Sequence, residues 1–210
     1  MNKARIRRLL LPVHCVFCGT QCYADEDSIC GGCQADLPWH EQLCGAESSP
    51  LEVVAAPLEY AFPVDAALKS FKFHRRLEYG PAFGELLWRV LPELPRDIDM
   101  LLPMPLHWRR QALRGFNQAD ELARVLHKRS GLPVLDTLRR VRATPYQSGL
   151  DAAARRNNLR NAFKATAAID SAHVLIIDDV ITTGESCRRL AQVVLQAGAG
   201  RVSALAVART

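Results

Sequence analysis

Four apolar residues, Val174-Leu175-Ile176-Ile177, end abruptly in two adjacent carboxylates, Asp178 and Asp179, and Val180-Ile181-Thr182-Thr183-Gly184-Glu185-Ser186 follows. A short continuous run rich in β-branched side chains belongs to a strand buried on both faces, the environment of a parallel sheet covered by helices. Residues 185–197 then read as a helix closed by Gly198. The rest of the chain repeats the alternation. Strands are expected over 53–60, 100–102 and 202–207. Val64, Ala67, Leu68 and Phe71 recur at helical spacing within 63–73. Phe83, Leu86, Leu87, Val90 and Leu91 mark a helix after Gly80-Pro81 that must stop near Pro92 or Pro95. Residues 118–130 form another, with Ala119, Leu122, Ala123 and Leu126 on one side and Gly131 as its C-cap. Residues 143–160 are polar and basic, a mobile loop or hairpin. Strands alternating with helices imply an α/β fold, a parallel sheet with crossover helices.

The segment from Asp178 to Ser186 also carries chemistry. Amides of a small-residue loop and of the first helical turn point at an anion, aided by the helix dipole. Thr182, Thr183 and Ser186 add hydroxyl donors, and Gly184 permits close backbone approach. Asp178 and Asp179, at the strand's C-terminal end, accept hydrogen bonds from vicinal hydroxyls and offer hard oxygens to Mg²⁺. Ligands of open α/β sheets bind at that edge. The group that fits is a phosphate a few ångströms from a diol, which is a 5-phosphoribosyl group.

Six of the seven cysteines fall within the first 44 residues. The N-terminal apolar run before Pro12 is too short for a secretory signal, so a reducing cytoplasm is expected, where cysteines favour metal over disulfides. Cys15-x2-Cys18 and Cys30-x2-Cys33 are two knuckles suited to tetrahedral thiolate coordination of Zn²⁺. Gly19 and Gly31-Gly32 ease the backbone turns at the sulfurs. Cys22 and Cys44 are surplus, and either can replace one of the four; His14 and His40 are weaker candidates. Four protein ligands leave no open position, so the metal is structural. Residues 46–50 read as a linker, giving a zinc module over 1–48 and the α/β domain over 49–210.

The 210 residues are 49% apolar and 23% charged, which excludes a disordered or fibrous chain. No apolar stretch reaches the length of a membrane span, so no membrane insertion is expected. The net charge of +5 conceals an uneven distribution. Residues 101–164 hold thirteen basic residues against four acidic ones. Such a block implies an anionic partner, either a phosphorylated small molecule or nucleic acid.

The Asp178-Asp179 segment resembles the phosphoribosyl-pyrophosphate (PRPP) signature of type I phosphoribosyltransferases. Together with the cysteine-rich front and Pro103-Met104-Pro105-Leu-His-Trp-Arg109-Arg110-Gln-Ala-Leu-Arg114-Gly115-Phe116-Asn117-Gln118-Ala119, it resembles the ComF family of competence-associated, amidophosphoribosyltransferase-like proteins over essentially the whole chain. The resemblance implies a type I phosphoribosyltransferase-like sheet behind a double zinc-ribbon-like module. It implies that Asp178 and Asp179 contact ribose hydroxyls and that Thr182, Thr183, Gly184, Glu185 and Ser186 cradle the 5-phosphate. Pro103, Met104 and Pro105 match the pyrophosphate loop, with Arg109, Arg110 and Arg114 as candidates for the diphosphate. Lys72, in Phe71-Lys-Phe-His-Arg-Arg, matches a family lysine that reaches the same anion. Arg139, Arg142, Thr144, Gln147, Arg155 and Asn158 match the mobile catalytic loop, with Gln147 and Arg155 as catalytic candidates.

Two functions follow from the resemblance. One is transfer of a phosphoribosyl group from PRPP, with Mg²⁺, to a nitrogen nucleophile. The other is a non-catalytic protein that senses a nucleotide or serves DNA uptake, meeting single-stranded DNA or the competence machinery through the basic segment. The chain has no room for a glutaminase domain, which argues against glutamine-derived ammonia. Self-association is left open.

Overall fold

The computed structural model describes residues 12–23, 28–40, 44–45, 50–141 and 162–210. Arg142, Thr144, Gln147, Arg155 and Asn158 lie outside the described residues. In chain order the elements are α1 (Gly31–Asp36), β1 (Cys44–Gly45), β2 (Val53–Ala55), β3 (Leu58–Glu59), α2 (Val64–Phe73), α3 (Tyr79–Val90), a 3-10 turn (Leu91–Glu93), β4 (Met100–Pro103), α4 (Trp108–Arg114), α5 (Gln118–Ser130), β5 (Leu138–Arg140), β6 (Phe163–Ala165), β7 (His173–Ile181), α6 (Glu185–Gln196) and β8 (Arg201–Arg209). Among the described residues no helix is long and apolar enough to cross a membrane.

The main sheet runs β1-β2-β8-β7-β4, with β3 also pairing β8. All these pairings are parallel except β1 with β2. Strand β7 lies between β8 and β4, and its residues Val174 to Ile177 are fully buried. It is longer than the apolar run because β8 pairs it from His173↔Arg201 to Ile181↔Arg209, so both aspartates are strand residues. The expected strand over 53–60 is two short strands, both registered on β8. They break at Pro57, which has no amide to donate to a ladder.

Two apolar layers cover the sheet. Leu68, Phe71, Phe83, Leu87, Leu122 and Leu126, from α2, α3 and α5, pack on Leu101, Leu175, Ile177 and Leu205. Leu190, Ala191 and Val194 of α6 pack on the opposite face with Val174, Ile176 and Ala204. Helix α3 begins before Pro81, which its first turn tolerates because that amide has no intrahelical partner. Gly131 closes α5 in the left-handed region at φ 78°, as expected for a C-cap.

Gly84 of α3 is where α3 meets α5. A Cβ there would lie 2.6 Å from Cβ of Val125. Alanine is the better helix former by about 1 kcal/mol. The clash outweighs it, and Gly84→Ala is expected to destabilise the protein by roughly 1–3 kcal/mol in denaturant unfolding.

The cysteine-rich segment is built into the first layer. Cys15, Cys22, Ile29 and Leu37 are buried in the same core as Phe71 and Phe83. The Phe17 ring lies 6.0 Å from that of Tyr79 and 6.3 Å from that of Phe83, both edge-on. Arg89 of α3 donates to the side-chain oxygen of Gln34 at 2.8 Å. Trp39 bridges Leu58, extending the sheet's edge.

Candidate functional site

The aspartates alternate with the strand. Asp178 follows Ile176 and Asp179 follows Ile177, so the two carboxylates project to opposite faces of the sheet. Asp179 is buried on the α2 side, where Lys72 Nζ, from the last turn of α2, lies 2.9 Å from its Oδ2. Burial works against the Lys72 charge, but Asp179, and Asp178 behind it, outweigh burial and hold the ammonium above its ordinary range. Asp178 Oδ1 accepts a hydrogen bond from the Asp179 amide at 2.8 Å. Its carboxyl is pushed up to about 7, first by burial and then by the Asp179 charge. Strongly perturbed acids of this kind collect at functional sites.

The direction of that shift has a consequence for stability. An acid that titrates at about 7 in the fold and at 3.8 outside it binds its proton more tightly when folded. Stability therefore falls as pH rises from about 4 to about 7, and the cost is complete above that window. Asp178→Asn removes the cost. It is expected to melt higher than the parent at pH 8, by on the order of 2–4 kcal/mol at most, with the gap narrowing steadily toward pH 5 in scanning calorimetry.

Beyond β7, Thr182 and Thr183 are exposed and Gly184 adopts φ 71° immediately before α6. Helix α6 has no side-chain cap, so its first-turn amides open toward the loop. Thr183 Oγ1 makes a long contact of 3.5 Å with the Glu185 amide. The Glu185 carboxylate accepts from Arg189 Nε at 2.8 Å and from Arg188 at 3.4 Å. Arg188 also donates to the Thr183 carbonyl at 2.5 Å, which sets a cation on the loop. The sequence signal for Arg188 is its position one helical turn after Gly184.

The turn 103–105 leaves β4 beside β7. The Met104 amide donates to the Ile177 carbonyl at 2.8 Å, and its side chain is buried in the core. Its carbonyl accepts from Asn117 Nδ2 at 3.1 Å, and Asn117 caps α5. The turn is thus tied to β7 and α5 at once. Between them lies α4, which the sequence reading does not predict; it has seven residues, none buried, and starts on a His107 cap. Arg110 and Arg114 of α4 line one cavity of about 380 Å³ with Lys72, Phe73, Arg75 and Leu113. Arg109 is not among the lining residues; its guanidinium lies over the Trp108 ring at 5.3 Å.

Arg140, at the end of β5, joins this group although sequence reasoning does not single it out. Burial and the Arg110 charge push its guanidinium down to about 10, while Asp178 pulls it back up. His107 is lowered by burial and then by Arg109, Arg140 and Arg110. Cations held close enough to disfavour one another, beside a carboxylate, form a place where a polyanion relieves repulsion. Strand β5 pairs antiparallel with β6, and the Val141 amide donates to the Ala162 carbonyl at 2.8 Å. The flanks of the basic segment 142–161, Val141 and Ala162, are thereby held together. At the opposite end of the sheet, His173 bonds Ser203 Oγ at 2.9 Å, but both residues are buried and this polar contact is structural.

The four knuckle cysteines converge. Sγ atoms of Cys15, Cys18, Cys30 and Cys33 all lie within 4.8 Å of one another, and Cys18 and Cys30 are 3.7 Å apart. A tetrahedron with Zn–S bonds of about 2.3 Å has sulfur–sulfur edges of about 3.8 Å, so the donor set fits structural zinc. Hydrogen bonds from the Thr20 side chain and backbone lower the Cys18 thiol to about 6, while burial and then the neighbouring cysteines push Cys33 well up, so the four thiolates gather together only around a cation. Cys22 is buried in the core beside this group and is not one of the four.

Residues 6–61 match the double zinc ribbon domain. The chain is 32% identical over 208 residues to the DNA utilization protein YhgH of Escherichia coli, covering 93% of this chain and 90% of that protein. The Salmonella typhimurium protein of that name is 33% identical over 192 residues, 87% of this chain and 85% of the other. Competence protein F of Haemophilus influenzae is 26% identical over 93% of this chain and 96% of its own length. The chain belongs to the ComF family. Two solved structures align with 60% of this chain at TM-score 0.41 and 19% identity. One is the allosteric regulatory enzyme of purine biosynthesis and the other a glutamine PRPP amidotransferase from B. subtilis complexed with ADP and GMP. This chain spans a quarter of the length of each.

Proposed function

We propose that this ComF-family protein binds PRPP with Mg²⁺ and transfers the phosphoribosyl group to a nitrogen nucleophile. The observation that carries the reading is the pairing of Asp178 and Asp179 at the end of β7 with an uncapped helix N-terminus four residues on, within the cationic surroundings of Lys72, Arg110 and Arg140. In this reading the ribose hydroxyls donate to Asp178 and Asp179. The 5-phosphate takes the amides and hydroxyls of Thr182 to Ser186, with Arg188 behind it. The diphosphate lies between the 103–105 turn, Arg110 and Arg140. A Mg²⁺ bound with the substrate would neutralise diphosphate charge, held by phosphate oxygens, water and a carboxylate such as Asp178.

The chemistry asks the protein for positioning and charge. The C1–O bond breaks with its electron pair going to the departing diphosphate, and the cations stabilise that charge as it develops. The lone pair of the nucleophile forms the new C1–N bond, and holding it in line supplies much of the rate. Residues 1–48 would act as the zinc module and 49–210 as the domain that carries this site.

The relatives, a DNA utilization protein and a competence protein, favour a second reading, a DNA-uptake accessory that uses the site without turnover. One experiment separates the two. Zinc-loaded protein is incubated with Mg-PRPP and a panel of nitrogen bases, and diphosphate release is followed. The transferase reading expects release that depends on one base and is lost in Asp179→Asn. Binding of PRPP with no release for any base supports the accessory reading. Affinity for single-stranded DNA that falls steeply between low and physiological salt would add weight to it.

A further inference from the structure

The cavity beside Lys72 contains more than a diphosphate needs. Its lining is Lys72, Phe73, Arg75, Arg110, Leu113 and Arg114: four cations, two apolar side chains and no acid. Its volume of about 380 Å³ lies within the usual range for small-ligand sites. Phe73 is 55% exposed and Leu113 82%, an apolar pair left uncovered at the cavity wall. The Arg114 guanidinium lies over the Phe73 ring at 5.2 Å.

Arg75 is the left-handed residue that ends α2, and the Arg76 amide after it reaches back to the Ser70 carbonyl at 3.4 Å. Its φ of 53° lies in the left-handed region, which side chains with a Cβ rarely adopt. Its Nε donates to the Arg114 carbonyl at 3.1 Å, at the C-terminal end of α4. Gly115 makes room for it: a Cβ on that residue would lie 3.1 Å from an Arg75 guanidinium nitrogen. The side chain is thus fixed at the cavity wall by its bond to Arg114 and by the space over Gly115. Lys72 links the cavity to the candidate ribose carboxylates through its 2.9 Å contact with Asp179.

We propose that this cavity is the acceptor subsite and that the acceptor is a flat, single-ring heteroaromatic carboxylate. The proposal rests on the phosphoribosyl-transfer reading. Phe73 and Leu113 take the ring, and Arg75 and Arg114 take the carboxylate through guanidinium pairing. Arg110 stands on the border with the diphosphate. A ring nitrogen gives its lone pair to C1 while the C1–O pair leaves on the diphosphate, and any proton on that nitrogen passes to water.

The test uses a panel of pyridine, pyrimidine and imidazole carboxylates, each beside its own neutral carboxamide, titrated into the zinc-loaded protein by calorimetry. At least one acid is expected to bind about tenfold or more tighter than its amide. Arg75→Asn keeps a residue that tolerates positive φ and removes the guanidinium. It is expected to abolish the preference for the acid over the amide. Phe73→Ala is expected to weaken acid and amide alike. Both variants should retain zinc and bind Mg-PRPP within about twofold of the parent, a change of under about half a kcal/mol. If no acid is preferred over its amide, the proposal is overturned. If Arg75→Asn weakens Mg-PRPP as much as the acids, the cations belong to the diphosphate and the proposal is likewise overturned. Failure of the transferase reading itself shows separately, as a parent protein that does not bind Mg-PRPP or that binds it and releases no diphosphate with any base.

Discussion

Cys30→Ser protein is expected to lose its zinc and to melt at least about 10 °C below the parent. The size follows from what the metal holds. A four-thiolate zinc site contributes on the order of 10–16 kcal/mol of apparent binding free energy, and in a module without its own large core that energy is folding energy. Whole domains have only about 5–15 kcal/mol of net stability. The loss does not stay local, because Cys15, Ile29 and Leu37 share the core of Phe71 and Phe83, and Phe17 packs on Tyr79 and Phe83. Releasing the knuckles therefore uncovers α3, and α3 supports α5 and α2. A net loss of about 5 kcal/mol moves the melting temperature of a chain this size by roughly 10–20 °C. Metal analysis and calorimetry on the same sample check both halves of the expectation. A variant that loses zinc yet melts with the parent would mean that the module is an independent appendage.

Much of the frame is legible in the sequence because its signals are local. Val174 to Ile177 declare a doubly buried strand, and the 3.6-residue spacing in α2, α5 and the latter part of α3 marks their buried faces. The knuckle cysteines declare themselves by spacing. What the sequence hides is set by pairing and by charge at a distance. The lengths of β7 and β8 are fixed by their mutual ladder, so the aspartates become strand residues on opposite faces. Helix α4 has no apolar stripe and a histidine cap, which gives periodicity nothing to register. Arg140 and Arg75 stand 65 residues apart in the sequence, and one run of basic residues looks like another. Only the fold brings Arg140 toward Arg110 and Asp178, and sets Arg75 against Gly115.

The site stands or falls on Asp179. Its carboxylate is buried, faces Lys72 at 2.9 Å and lies near the C-terminal end of β7. Asparagine keeps the shape, removes the charge and leaves Lys72 without its anionic partner. A hydrogen bond to a charged group contributes about 1.5–3 kcal/mol, which is roughly ten- to a hundredfold in affinity. The direct measurement is a calorimetric titration of Mg-PRPP into zinc-loaded protein and into Asp179→Asn at pH 8, where the Asp178 carboxyl is ionised. One saturable site is expected in the parent, and at least about tenfold weaker binding in the variant. No heat of binding in the parent, or equal affinity in the two proteins, would contradict the proposed site.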